Sequence, residues 1–418
     1  MLPVGMQLPS RHHGGMSTVV LVLPSASYRA PDFVAAARAL GVSLIVATEG
    51  NQAFPDPGRF IKIDLRRPDF SVDEIVRSVG EVDAVMAVDD AGVAIAAGAA
   101  SRLDLTHNSP AAVAATRDKG ELRRLLLDAG VSQPEFSLTD AATAARRADE
   151  IGYPVVVKPV SLSASRGVIR ADNRDQAAAA AVRCRAILDD AGRPDDEPML
   201  VERYIPGDEV AVEGMLKNGT LEVLAILDKP DPLVGPFFEE TMFVTPSRHS
   251  EQAQVAIADV VAAATEAIGL VEGPIHAELR LDGEQPYMLE IAARPIGGLC
   301  SRALSFGVFG ASLETVLLRN ALRLPQGGLD PLAPAAGVMM LPIPRRGRRG
   351  SVAGREDALR VPGITGLEIT VAEGAVVVPL PEGNRYLGFL FSRGPTPEDA
   401  EQSLRKAYSL LDIAIAEG

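Results

Sequence analysis

The chain has 418 residues, 47% hydrophobic and 23% charged, an ordinary globular balance that excludes a collagenous, coiled-coil or wholly disordered chain. Its 41 basic and 55 acidic residues leave a net charge of −14, a surface that repels phosphate backbones and argues against a nucleic-acid partner. Two cysteines, Cys184 and Cys300, lie outside any CxxC pattern, so no disulfide framework or cysteine metal site follows, and a reducing, cytoplasmic compartment fits best.

Residues 1–16 lack the apolar core of a secretory signal and read as a disordered leader. No apolar run approaches the roughly 20 residues of a membrane span, so no membrane partner is expected. Over 17–110 the pattern alternates strand and helix: strands at Val19–Leu23, Ser43–Ala47 and Ala84–Val88, helices at Phe33–Leu40 and Val72–Val79. Short buried strands separated by helices predict a small three-layer domain on a parallel sheet. Ser109-Pro110 caps a helix from Ala111, and a second helix covers Gly120–Ala129. From 111 to 325 the pattern is α+β. Strands are expected at Val155–Val160, Met199–Tyr204, Val210–Leu216, Leu221–Leu227, His276–Leu281 and Tyr287–Ala293, and a helix at Ala253–Ile268. The Pro/Gly-rich segment Pro325–Pro334 marks a second boundary, and 326–418 ends in a helix expected over Pro397–Ile413. The basic run Arg345–Gly350 reads as a solvated loop.

Several standard signatures are missing: there is no GxxxxGK[ST], GxG, HExxH or GxSxG. What remains is a series of lysines, glutamates and one arginine at strand edges. Lys158 ends the buried run Pro154–Pro159, where an ammonium needs a partner, although a lysine snorkelling to the strand end also fits. The segment that follows, Ser161–Val168, is small and hydroxyl-rich and carries Arg166, as suits a loop closing over phosphates. In Val201–Gly214 a strand enters a Pro-Gly turn and leaves as another strand. Glu202 and Tyr204 share one face, where an adenine could be clamped, and Glu209 could take ribose hydroxyls. His276, Glu278 and Arg280 share a face of one strand, and Glu290, Ala292 and Arg294 a face of the next. The turn at Asp282–Glu284 makes them an antiparallel hairpin with Glu278 beside Glu290. Two adjacent carboxylates suit a shared Mg²⁺, and Arg294 can stabilise a transferring phosphoryl group. Free N–H groups at Gly297-Gly298 can hold a carboxylate or phosphate. Cys300 has no evident base and reads as a packing residue.

Taken together, in this order and spacing, these pieces resemble the ATP-grasp superfamily. Within it they resemble the carboxylate–amine ligases that include bacterial L-amino acid (dipeptide) ligases. The likeness covers nearly the whole chain: the opening αβ domain, Asn108–Lys119, Lys158 with its Ser/Gly loop, the Glu202–Glu209 hinge, Asp228–Thr241, the Glu278/Glu290/Arg294 hairpin and Gly388–Glu398. It implies an α/β and α+β ATP-grasp fold: a Rossmann-like N-terminal domain at 17–110, a two-lobed ATP-grasp core at 111–325 and a C-terminal lid domain at 326–418. It implies ATP, with Mg²⁺ or Mn²⁺, and small-molecule carboxylate and amine substrates, amino acids among them. A homodimer is common in the family. Lys119 and Lys158, with the loop residues Ser163, Ser165, Arg166, Gly167 and Val168, would contact the nucleotide phosphates. Glu202, Tyr204 and Ile205 would line the adenine hinge, and Glu209 would hold ribose. Glu278 and Glu290 would hold the metal, and Arg294 and Lys158 would serve catalysis. Glu239 or Glu240, between which the resemblance does not choose, would face the substrate or a metal, and His276, Gly297 and Gly298 would face substrate. The implied reaction is ATP-dependent amide formation through an acyl-phosphate, with the base that deprotonates the amine left unnamed. One departure from the family is Ala292, where many members read Glu-x-Asn and where alanine cannot coordinate a metal. A biotin-carboxylase-like or purine-pathway enzyme and a non-catalytic nucleotide sensor are the alternatives.

Overall fold

The structure is a computed structural model that describes residues 16–25, 27–50, 59–307 and 310–417. The leader expected at 1–16 lies outside the described residues except for Met16.

The N-terminal sheet is parallel, with strand order Arg59–Lys62, Ser43–Thr48, Thr18–Val22, Ala84–Ala87. Residues 19–23 are fully buried, as the unbroken apolar run requires of a strand covered on both faces. Helix Ala30–Leu40 stops at Gly41, whose φ of 66° is the left-handed cap that the sequence signals. The Ala-rich stretch near residue 95 forms helix Val93–Arg102, which presents Ile95, Ala96 and Ala99 to the core. Strand Arg59–Lys62 gives no period-two signal because three of its four residues are exposed. Strand order reverses between Thr18–Val22 and Ala84–Ala87, the point where a doubly wound sheet opens a crevice at its carboxyl ends. The chain leaving these two strands carries Tyr28 and Arg29 on one side and Asp89 and Asp90 on the other.

A small antiparallel sheet follows, ordered Phe136–Thr139, Met199–Arg203, Val155–Pro159, Ile169–Ala171. Helices Ala144–Ile151 and Arg174–Asp190 close one of its faces. Opposite stands an eight-stranded antiparallel sheet. Its order is Gln285–Ala292, Gly273–Asp282, Asp208–Lys217, Thr220–Asp228, Met242–Thr245, Ala335–Leu341, Gly388–Gly394, Ile364–Ile369. Helix Glu251–Ile268, capped by Ser250 and ended by Gly269, packs Ile257, Val261 and Ala264 on one face. Ala211, Met215 and Leu227 meet Phe33 and Leu21 of the N-terminal region in a second core, which also takes in Phe389. The backbone ladder runs on from Met242–Thr245 into Ala335–Leu341, so the C-terminal region shares the large sheet's hydrogen bonds.

Two expectations near the C-terminus change. The last helix ends at Tyr408, and Asp412–Ala416 is a strand paired with Gly347–Ala353. The alternation Ile413/Ile415, with Ile415 buried, is a period-two signal that outweighs helix propensity over so few residues. The basic run expected as a loop begins that partner strand. Arg348 and Arg349 lie along the sheet and donate to the carbonyls of Gly374 (2.8 Å) and Val371 (3.0 Å). Among the described residues, no helix is long and apolar enough to cross a membrane.

Candidate active site

The two antiparallel sheets face each other across a cleft, and its floor is an ion-paired cluster. Lys158 on Val155–Pro159 meets Glu202 on the neighbouring strand, Nζ to Oε2 at 2.7 Å. The other Glu202 oxygen accepts from Arg123 Nε at 2.6 Å. Arg123, fully buried on helix Lys119–Asp128, also donates to the carbonyls of Met288 (3.1 Å) and Leu289 (2.7 Å). These consecutive carbonyls can both face one guanidinium because the hairpin register slips at Glu278/Leu279, a bulge that re-aims the strand. Burial alone would raise the Glu202 carboxyl, but Arg123 and Lys158 outweigh it and hold it down at about 2. Lys158 is lowered by burial and by the nearby Arg123 and Lys119, because it shares a single carboxylate with a second cation.

The large-sheet wall is the hairpin Gly273–Asp282/Gln285–Ala292, in which Glu278 stands opposite Glu290 and His276 opposite Ala292. Glu290 pairs with Lys119 at 3.1 Å, and Lys119 Nζ also donates to the Leu162 carbonyl at 2.7 Å. Lys229, almost fully buried, sits among Glu209 (2.6 Å), Glu240 and Glu278 (3.5 Å). Burial disfavours its charge, but the three carboxylates hold it well above the ordinary lysine value. Among them, Glu240 is raised by burial and by Glu278, whereas Glu278 is lowered, against burial, by Lys229 and His276. Carboxylate oxygens of Glu209, Glu240 and Glu278 lie within 4.8 Å of one another. This is an all-oxygen donor set of the kind Mg²⁺ accepts. His276 bridges Glu213 (Nδ1, 2.5 Å) and Glu278 (Nε2, 3.3 Å). Although burial opposes it, these two acids push the imidazole up to about 9.

At the hinge, Tyr204 and Phe238 stack with centroids 6.3 Å apart, and Arg280 lies 4.9 Å over the Tyr204 ring. Arg280 also donates to Glu209 (2.9 Å) and to the Ile205 carbonyl (2.8 Å), which fixes the turn from the small sheet to the large one. Gly207 is required there: its φ is 88°, and a Cβ would stand 1.9 Å from the Leu281 oxygen.

At the far end Arg294 clasps Asp90, Nε to Oδ1 at 2.9 Å and NH2 to Oδ2 at 3.0 Å, while its NH1 donates to Pro295 O at 2.9 Å. Arg117 approaches Asp90 at 3.2 Å. Despite burial, the two arginines hold the Asp90 carboxyl well below the usual range.

All the expected site residues line this cleft except Arg166, Gly167, Glu239, Gly297 and Gly298. Arg166 turns away to Asp190 (2.5 Å) and the Glu382 carbonyl (3.0 Å). Gly167 donates its N–H to Pro381 O at 2.9 Å, so the loop is tied to the C-terminal region while Ser163, Ser165 and Val168 face inward. Glu240 points at Lys229, whereas Glu239 lies near the Ile343 backbone with its carboxyl raised by burial. Gly298 (φ 63°) is pressed against the Phe389 ring, and a Cβ on Gly297 would meet open space. Sequence reasoning missed Arg123, Lys229, Glu213 and Asp90. Lys229 and Asp90 each follow the apolar end of a strand, the signal that found Lys158; Arg123 and Glu213 carry no such signal.

Residues 151–303 match the ATP-grasp domain family, and residues 339–416 match L-amino acid ligase C-terminal domain 2. An alanine--anticapsin ligase of Bacillus subtilis (strain 168) is 28% identical over 302 residues, which cover 66% of this chain and 63% of that protein. The chain spans less than two thirds of the length of this and two further alanine--anticapsin ligases from Bacillus that it matches. The crystal structure of an L-amino acid ligase from Bacillus licheniformis superposes with a TM-score of 0.80 at 25% identity, over 96% of this chain and 99% of that one. A carboxyaminoimidazole ribonucleotide synthase from Aspergillus clavatus, solved with ATP, superposes with a TM-score of 0.74 at 17% identity over 94% and 98%, a likeness of fold.

Proposed function

We propose that this chain, which belongs to the ATP-grasp superfamily, is an ATP-dependent carboxylate–amine ligase that joins amino-acid substrates through an acyl-phosphate. One observation carries the reading. Two buried lysines (Lys119 and Lys158), a group of carboxylates backed by buried Lys229, and Arg294 converge on a single cleft between two sheets, with an aromatic hinge at its other end.

In this reading the purine lies at Tyr204, Ile205 and Phe238, and Glu209 takes the ribose. Lys119 and Lys158 hold the phosphates, with Ser163 and Ser165 above them. Glu278 and Glu290, with Glu240 close by, would hold Mg²⁺ or Mn²⁺, which when bound neutralises phosphate charge and fixes the phosphoryl groups. A substrate carboxylate oxygen attacks the γ-phosphorus in line and ADP leaves. The deprotonated amine then adds to the acyl-phosphate carbonyl, and phosphate departs as the amide forms. Phosphoryl transfer depends mainly on positioning and charge, which the lysines and Arg294 supply. Arg294 then steadies negative charge on the acyl-phosphate and the tetrahedral intermediate.

Phosphate release from Mg·ATP across a matrix of paired amino acids, with mass spectrometry of each positive well, tests this. Release that needs two amino acids and yields a condensed product is the expected result. ATP binding without release across the matrix would sink the ligase in favour of a nucleotide sensor, the reading that Ala292 opposite His276 favours.

A further inference from the structure

The segment that leaves the N-terminal sheet meets the cleft lining at Arg294, whose contacts leave a definite remainder. A guanidinium has five N–H donors. On Arg294, NH2 donates one hydrogen to Asp90 Oδ2 and NH1 one to Pro295 O, while Nε stands 2.9 Å from Asp90 Oδ1. Each terminal nitrogen thus keeps one N–H with no hydrogen-bond partner among the described residues, on a side chain that lines the cleft. Asp90 is itself firmly placed. It follows the strand Ala84–Ala87 at the point where strand order reverses, and Arg117 holds it from helix Pro110–Ala115 and its continuation. Buried Arg29 stitches the same two segments together, donating to Val88 O (3.0 Å) and Ile296 O (2.9 Å).

We propose that Asp90 is a positioning residue: by clasping the side edge of Arg294 it presents the remaining two N–H groups as a fork to an oxyanion in the cleft. The N-terminal sheet thereby sets the geometry of the reacting phosphoryl or acyl group while taking no part in nucleotide binding. This rests on the ligase reading for the identity of the oxyanion.

Three variants test it: Asp90→Asn, Arg294→Lys and the double variant, with Asp73→Asn on the exposed Arg102 pair as a control. Asp90→Asn is expected to lower kcat for ADP release by about 10²-fold, the cost of a small misplacement at a reacting centre, with KM for ATP unchanged. The double variant is expected to be no worse than Arg294→Lys, because Asp90 acts through Arg294. An unchanged kcat in Asp90→Asn, or losses that multiply in the double variant, overturns the proposal. If Asp90→Asn does not fold, Asp90→Glu keeps the charge but displaces it; a kcat loss of about tenfold or more with unchanged KM supports the proposal and an unchanged kcat overturns it.

If no amino-acid pair gives turnover, the ligase reading fails and binding decides Asp90 separately. Wild type is expected to gain thermal stability from aluminium fluoride added to Mg·ADP, and Asp90→Asn to lose that gain while keeping the shift from Mg·ATP. Retention of the aluminium fluoride gain in Asp90→Asn, or its absence in wild type, overturns the proposal.

Discussion

Lys119 and Glu290 meet at 3.1 Å although 171 residues separate them, one at the start of a helix and the other on the wall of the large sheet. Among the described residues each makes its one ion pair within 4.0 Å with the other, so the two charges are matched in the protein itself. The Glu290 side chain is 30% exposed, and an ion pair of that kind contributes about 1 kcal/mol or less. Glu290→Ala is therefore expected to fold with nearly the wild-type melting temperature and to release no ADP in a coupled assay. Wild-type protein stripped with EDTA should behave the same way until Mg²⁺ is restored. Wild-type-like turnover in Glu290→Ala would remove Glu290 from the metal site.

Arg123 makes the opposite prediction. It is fully buried and serves a carboxylate and two carbonyls, so its loss leaves one Glu202 oxygen and the Met288 and Leu289 carbonyls without their buried donor, with Lys158 the remaining cation on Glu202. Arg123→Met is expected to cost about 3–5 kcal/mol in urea denaturation. Its neighbour Arg124, exposed and paired with Glu121, should leave the urea midpoint essentially unmoved when changed to alanine.

The Glu202 pairing has a pH signature. The folded carboxyl, held at about 2, lies below its ordinary 4.5, so the stability it contributes is complete above 4.5 and drains away as pH falls towards 2. That difference corresponds to about 3 kcal/mol at neutral pH. Glu202→Gln should accordingly be less stable than wild type at pH 7, and the gap should close between pH 4.5 and 2. A gap that stays constant across that window contradicts the pairing.

The loop 161–167 is held from outside the cleft by Pro381 and Glu382, and Arg183 grips Glu382 with two further bonds (2.6 and 3.0 Å). Tryptic cleavage at Arg166 should be slow, slower still with Mg·ATP, and faster in Glu382→Ala. Equal cleavage with and without nucleotide would argue against closure over phosphates.

Lys158, Glu202 and the Glu278/Glu290 hairpin were legible in the sequence because strand periodicity assigns a face to each residue and the apolar flanks show which face is buried. The same rule fails at Leu289, where the bulge that turns two carbonyls toward Arg123 has no local mark. It fails again at Arg123-Arg124, adjacent arginines of which one is fully buried and the other exposed. Helical spacing cannot rank them without the partner strand. Arg166 looked like a phosphate ligand because charge in a small-residue loop is ambiguous until the neighbours, here Asp190 and Glu382, are in place. The expected helix Pro397–Ile413 overruns into the strand Asp412–Ala416 because a five-residue strand is outweighed by the longer helical pattern before it.

The lysines and acids of the cleft are one another's counterions: Lys119 with Glu290, Lys158 with Glu202, Lys229 with Glu209 and Glu240. These pairs settle the cleft electrically, so under the proposed function Mg·ATP would not meet a bare field. It would exchange partners, with phosphates taking over the lysines and the metal taking over the carboxylates. Because each new contact would replace an old one, binding would gain little net electrostatic energy, and ADP would leave by the reverse exchange as the side chains close on one another again. A cleft able to re-form its own ion pairs in this way would favour repeated turnover over tight retention of nucleotide.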